Sequence, residues 1–300
     1  MHPQQIMEAY RRGENISLLL REERDAGRNT EETVEIAYDL QTGSYVEALN
    51  DAHYRQHKVD YGNRLAAEII ALTRPTSLLE VGVGEGITLR HVIDAFPQPI
   101  HTIHGFDISW SRIACCRDWF VRQGINDCFL SVASVFQTPY ADNSFDVVYT
   151  SHSIEPNGGN ERAILAELFR ITSRYLFLLE PGYELATDDI RARMRQHGYC
   201  TGIVEHAVSL GMEVVKHEAF PFVANPMNPT ALTVLRKDAE AEDATPQLAC
   251  PKYRTPLVEY EDSLFSADSL RSYPKIQGIP CLRCQDAVIA SAYQRYRPVA

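Results

Sequence analysis

Leu78-Leu-Glu-Val-Gly-Val-Gly-Glu-Gly86 places three glycines at alternate positions directly after a short apolar run. Ser77-Leu-Leu-Glu-Val81 reads as a buried strand, and residues 86–96 as the helix that follows. Glycines there let the backbone turn sharply and come close to a ligand, while the helix start offers free N–H groups. Such a run also closes ordinary strand-to-helix turns, so its meaning depends on its surroundings. Downstream, strands at 103–108, 128–131, 145–149 and 175–179 alternate with helices at 111–123 and 160–173. That alternation predicts an α/β, Rossmann-like, doubly wound parallel sheet. A helix over 188–210 and strands at 213–217 and 231–235 complete this part, with a Pro-rich stretch from Pro221 to Pro229 joining the two strands.

Asp107 lies 21 residues beyond Gly86, at the end of the second strand. A carboxylate at about that distance suits the two hydroxyls of a ribose. Glu80 puts a second acid at the end of the first strand, where a phosphate would be repelled, so a neutral or cationic nucleoside ligand is favoured over a dinucleotide. The whole chain has 300 residues, 40 acidic against 29 basic side chains, and a formal net charge of -11. This excess is spread over 13 acids and 9 bases in residues 1–75, 19 and 13 in 76–238, and 8 and 7 in 239–300. No segment is a basic arm, which argues against nucleic acid as the main partner. No apolar run approaches the ~18 residues of a membrane span. The start of the chain lacks a secretory pattern and the seven cysteines are irregularly spaced, so reduced thiols and a cytoplasmic location are expected.

With these residues placed, the sequence resembles the class I S-adenosylmethionine-dependent methyltransferases (methyltransferase type 11/25-like). Leu79-Glu-Val-Gly-Val-Gly-Glu-Gly86 is similar to their first motif, and Gly105-Phe-Asp-Ile-Ser109 to the second-strand motif whose acid holds the ribose. Asn143-Ser-Phe-Asp-Val-Val-Tyr-Thr-Ser-His152 and Leu178-Leu-Glu-Pro-Gly182 look like the fourth- and fifth-strand motifs. The resemblance implies a seven-stranded sheet whose last two strands form a hairpin, with S-adenosyl-L-methionine as cofactor. It implies cofactor contacts at Glu80, Gly82, Gly84, Gly86, Asp107, Ile108, Ser134, Val135, Phe136 and Ser151. One departure stands out. Many relatives carry an acid for the adenine amino group just before a Leu-Pro-Phe step, and here Ser134 occupies its place in Ala133-Ser-Val-Phe-Gln-Thr-Pro-Tyr140.

Methyl transfer asks mainly for proximity and an in-line approach. A base is needed only when the acceptor must lose a proton. His152 and Glu155, just past the fourth strand, are the candidate catalytic residues, since the carboxyl ends of strands face the ligand crevice in such sheets. Each also reads as a loop-shaping or contact residue. Candidate acceptor-site residues are Tyr38, Tyr45, His53, Tyr61 and Glu180. Tyr38, Gln41 and Tyr45 share one helix face if a helix beginning after Asn29-Thr30 and spanning 30–42 runs on past Gly43. Residues 3–27 and 58–73 read as further helices. The resemblance implies that residues 1–75 form a helical lid and 76–238 the cofactor-binding core, while 239–300 read as a small β-rich domain, with Lys237 to Pro246 as linker.

The last segment resembles a Trm112-like zinc ribbon, through Leu248-Ala-Cys-Pro-Lys-Tyr-Arg-Thr-Pro-Leu257 and Ser272-Tyr-Pro-Lys-Ile-Gln-Gly-Ile-Pro280. Tyr253 replaces the ribbon's second cysteine, and Ser266 stands where the next is expected. Cys250, Cys281 and Cys284 leave a four-ligand site incomplete, which implies a metal-free relic that packs on the core or builds a homodimer contact. The expected function is methyl transfer to a small-molecule acceptor such as a sugar, a nucleotide-linked sugar or a natural-product intermediate. The alternatives are a catalytically silent scaffold subunit and a protein or RNA methyltransferase.

Overall fold

The computed structural model describes residues 1–23 and 27–296. Five helices open the chain: α1 (Pro3–Arg11), α2 (Ile16–Glu23), α3 (Glu31–Asp39), α4 (Ser44–Ala48) and α5 (Ala52–Leu72). The single helix expected over 3–27 is broken at Gly13, whose φ of 80° lies in the left-handed region, and residues 24–26 fall outside the described part. Thr30 caps α3, its hydroxyl accepting from Thr33 N–H at 3.1 Å. The helix expected over 30–42 stops at Asp39, and Gly43 (φ 92°) instead starts α4. Tyr38 and Tyr45 thus sit on separate helices, not on one face.

The central sheet contains β1 (Ser77–Val81), β2 (Thr102–Asp107), β3 (Cys128–Val132), β4 (Phe145–Ser151), β5 (Thr172–Pro181), β6 (Glu213–Ala219) and β7 (Thr230–Arg236). Its order is β3-β2-β1-β4-β5-β7-β6, parallel except that β7 runs antiparallel to both β5 and β6. This is a seven-stranded Rossmann-like sheet closed by a hairpin. Helices α6 (Ile87–Ala95), α7 (Trp110–Arg122), α8 (Glu161–Ile171), α9 (Asp188–His197) and α10 (Ile203–Ser209) flank it. The helix expected over 188–210 is split by Gly198 and Gly202, both with positive φ. Every residue of β1 is buried because both faces of the sheet are covered, with Leu78 in one apolar cluster and Leu79 and Val81 in the other. β1 pairs with β2 on one side and β4 on the other, so the chain reverses its winding there. The loops after β1 and β4 consequently open on one crevice.

The third part is a small sheet of β8 (Val258–Glu259), β9 (Ser263–Ser266), β10 (Arg271–Ile276) and β11 (Ile279–Pro280), with β12 (Val288–Ile289) also pairing with β10. It is seated on the edge of the main sheet. Leu282 N–H donates to Val132 O at 2.7 Å, and Val132 and Cys281 form a parallel bridge. This covers the end of the exposed edge strand β3. Arg283 reaches Glu35 on α3 at 2.5 Å and also pairs with Asp286, so the domain holds the lid as well as the core. Inside it, Tyr273 packs with Leu264 and Leu282, and its hydroxyl lies 3.1 Å from Cys250 Sγ. Ser266 pairs with Thr255 at 2.7 Å, and Cys281 packs into the main core. Among the described residues no group of three or more His, Cys, Asp or Glu is arranged to hold a metal ion. Among the described residues, no helix is long and apolar enough to cross a membrane.

The polar linker is not a free tether. Lys237 Nζ donates to the carbonyls of Phe169, Arg170 and Thr172 at the end of α8, and Arg174 to Ala241 O. Fully buried Asp146 collects Thr76 N–H, Thr76 O–H and Ser77 N–H on one oxygen and Ala244 N–H on the other. One carboxylate therefore ties β1, β4 and the linker. Asp146→Ala leaves these donors unpaired and is expected to cost about 3–5 kcal/mol of stability, read as a lower urea midpoint.

Candidate active site

The glycine loop joins β1 to α6. Gly82 and Gly84 have φ of 67° and 54°, and a Cβ on Gly82 would meet Ser153 Cβ at 2.2 Å. Only glycine lets this loop cross so close to the segment after β4. Gly86 has another task. Its φ is 79°, and a Cβ there would meet Phe120 and Cys116 at 2.5 and 2.6 Å, so it lets α6 and α7 pack and lines neither cavity described below. Asp107 joins the two turns of the crevice, Oδ2 accepting from Gly84 N–H at 3.0 Å and Oδ1 from Ser109 N–H at 2.9 Å. Each oxygen keeps a further lone pair for a ligand hydroxyl.

Two cavities border this loop, the smaller of them also lined by Asp107. The smaller, about 70 Å³, has apolar walls from Val34, Ile108, Val135 and Phe136, with Asp107 and Glu31 as its acids. The larger, about 330 Å³, runs past Gly82, Gly84, Glu80, Ser151 and Thr230 and is roofed by lid residues Tyr45, Tyr54, Lys58 and Tyr61. Tyr38, Gly82, Arg112 and His152 line both. The Arg112 guanidinium lies over the Tyr45 and Tyr38 rings, 4.7 and 5.4 Å from their centroids. The lid is bonded down by acids. Glu85 in the glycine loop accepts from Gly43 and Val46 N–H at 2.9 and 2.7 Å, and Asp39 holds Ser109 and Ser111 at the start of α7.

Glu80 accepts from Tyr149 O–H at 2.9 Å, and burial pushes its carboxyl up to about 8. Burial thus disfavours its charged form, and a cation entering the cavity would favour it. This qualifies the expectation of a fixed negative charge there. Burial lowers the Lys58 ammonium, against the pull of Glu80.

His152 has φ of 54°, in the left-handed region. Its Nδ1 lies 2.6 Å from Glu155 Oε2, and its Nε2 2.7 Å from Thr230 Oγ1. Asn228 Nδ2 also donates to Glu155, at 3.0 Å. Burial works against charge on both partners, but their hydrogen bond outweighs it, holding His152 above and Glu155 below the ordinary values. The two catalytic candidates are thus brought together, with His152 and Thr230 both lining the larger cavity and Nε2 engaged by the Thr230 hydroxyl.

Not every expected residue reaches the site. His53 is exposed on the first turn of α5. Glu180 is buried beneath the loop after β4, accepting from Ser153 and Ile154 N–H at 3.1 and 3.3 Å, and lines neither cavity. It shapes that loop, which departs from the acceptor contact expected of it. Ser134 is also behind the wall. Tyr61 does line the larger cavity, hydrogen-bonded to Ser151 at 3.0 Å. Sequence reasoning missed Glu31, His57, Lys58, Glu85, Arg112, Asn228 and Thr230. Glu85 alone carried a local signal, as an acid within the glycine run.

Sheet order, glycine loop and the Asp107 crevice give this chain the seven-stranded Rossmann-like fold shared with S-adenosylmethionine-dependent methyltransferases. Residues 78–174 match the family model described as a methyltransferase domain. Solved structures with this fold include a complex of the Haloferax volcanii Trm112 methyltransferase activator with a methyltransferase (15% identity, 66% of this chain and 96% of that chain, TM-score 0.52). They also include magnesium protoporphyrin IX methyltransferase from Synechocystis PCC 6803 with bound S-adenosylhomocysteine (13%, 61% and 85%, 0.48). A sarcosine dimethylglycine methyltransferase from Galdieria sulphuraria is also similar (14%, 59% and 85%, 0.47). The residues fit S-adenosylmethionine. Besides Asp107, three buried polar atoms bordering the cavities have no partner among the described residues: Arg112 Nε, Ser153 Oγ and Asn228 Oδ1.

The His152–Glu155 pair predicts a pH signature. A raised imidazole stabilises the fold below its unfolded value of 6.5 and loses that effect as pH rises through the folded value. A lowered carboxyl stabilises above 4.5 and loses that effect as pH falls through its folded value. The stability gap between wild type and His152→Gln is therefore expected to be widest between 4.5 and 6.5 and to narrow on both sides. Chemical denaturation across that range measures it.

Proposed function

We propose that the protein transfers the methyl group of S-adenosylmethionine to a small-molecule acceptor by in-line displacement, and that residues 1–75, 76–238 and 239–300 serve as lid, core and support domain. The observation that carries this reading is the cavity of about 330 Å³ between the glycine loop and helices α4 and α5, with Tyr45, Tyr54 and Tyr61 above it. An acceptor must fit beneath that lid beside Ser151 and Thr230, which suits a small molecule better than a protein or RNA.

When bound, the cofactor supplies a methyl group already activated on a sulfonium. The protein's own work is positional. Asp107 accepts from the ribose hydroxyls, while Ile108, Val135 and Phe136 bound the apolar slot for the base. Tyr61 and Ser151 border the transfer space. For an acceptor that must lose a proton, Thr230 is the first recipient, passing its own hydroxyl proton to His152 Nε2 while Glu155 stabilises the resulting imidazolium. His152 thus acts through Thr230, since Nε2 is already engaged by that hydroxyl.

Asp107→Ala is expected to weaken S-adenosylhomocysteine binding about 100-fold, since it removes acceptors for the ribose and leaves Gly84 and Ser109 N–H unpaired. Isothermal titration calorimetry reads this directly. The acceptor class is tested with methyl-labelled S-adenosylmethionine and a fractionated extract. Label in the small-molecule fraction supports the proposal, whereas label only on protein or RNA overturns it.

A further inference from the structure

Ser134 stands where an adenine-reading acid was expected, and the structure shows what it does instead. Its hydroxyl accepts from Phe136 N–H at 3.1 Å and donates to Glu31 Oε1 on α3. A hydroxyl has one proton, and that proton is spent on Glu31, so Ser134 offers a ligand no donor. Glu31 itself lines the small cavity that also holds Asp107, Ile108, Val135 and Phe136. Glu31 lies in the first turn of α3 and takes the Ser134 proton as an acceptor. An ionised carboxylate is an acceptor only, and Ser134 uses one of its lone pairs. The slot therefore presents apolar walls for a flat ring and, from the lid, an acceptor for an exocyclic N–H group.

We infer that Glu31 reads the adenine 6-amino group of the cofactor, so that base recognition comes from the lid helix α3 and not from the segment after β3. Ser134 is the positioning residue that aims Glu31. A purine with a carbonyl at position 6 would place oxygen against this carboxylate and be rejected.

The test compares S-adenosylhomocysteine with S-inosylhomocysteine, in which the 6-amino group is replaced by a carbonyl, by calorimetry on the full chain. Wild type is expected to prefer the adenosyl compound by about tenfold or more, the scale of one hydrogen bond to a charged group. Glu31→Ala is expected to abolish most of that preference by weakening the adenosyl compound alone. Glu31→Gln, which keeps the side chain's size and helix position, is expected to reduce the preference too. An unchanged ratio in both variants, whether the two ligands weaken together or not at all, overturns the inference and leaves Glu31 a packing residue. Failure of the wild type to bind either compound would overturn the cofactor assignment, and this inference with it.

Discussion

The crevice depends on one buried carboxylate holding two turns at once. Asp107 accepts from Gly84 N–H in the glycine loop and from Ser109 N–H at the start of α7. Both donors belong to backbone that has left regular structure, and buried N–H groups without partners are costly. The same interaction closes the β1 and β2 turns against each other and leaves lone pairs facing the cavity. Around it, further acids accept from the chain in the same way: Glu85 from α4, Asp39 from α7, Glu180 from the loop after β4, and Asp146 from β1 and the linker.

This recasts the acidic composition. The net charge of -11 argued only against a basic nucleic-acid surface when read as a sum. Several of the acids are internal fasteners with backbone donors as partners, and two of them, Glu85 and Asp39, tie the N-terminal helices to the glycine loop and α7. The C-terminal domain adds to the same end, since Arg283 grips Glu35 on the helix that carries Glu31. A domain that resembled a degenerate metal ribbon in sequence thus has a mechanical role in the fold, with Tyr273 and the Thr255–Ser266 pair filling its interior.

Legibility followed range. Strands β1 to β5 and β7 were readable because each holds an apolar stretch with buried residues and is bounded by turns, whereas β6 has no buried residue and showed only its Val214-Val215 centre. Helix continuity was misread around Gly13, Gly198 and Gly202, where positive-φ glycines lie between helices that apolar periodicity alone would have joined. His152 and Glu155 were legible as a pair because they are three residues apart in one loop. Thr230 and Asn228 were not, because they approach from 73 or more residues away, beyond the fifth strand.

By itself the sequence determined the sheet, the glycine loop and the acid beyond the second strand, since these rest on local backbone freedom and a fixed spacing between adjacent elements. Tertiary structure decided the rest. It placed Gly86 in packing and Glu180 under a loop, put Arg112 against two tyrosines from different helices, and brought Glu31 of α3 to Ser134. Those outcomes depend on which distant elements meet at the crevice, and no spacing along the chain encodes that meeting.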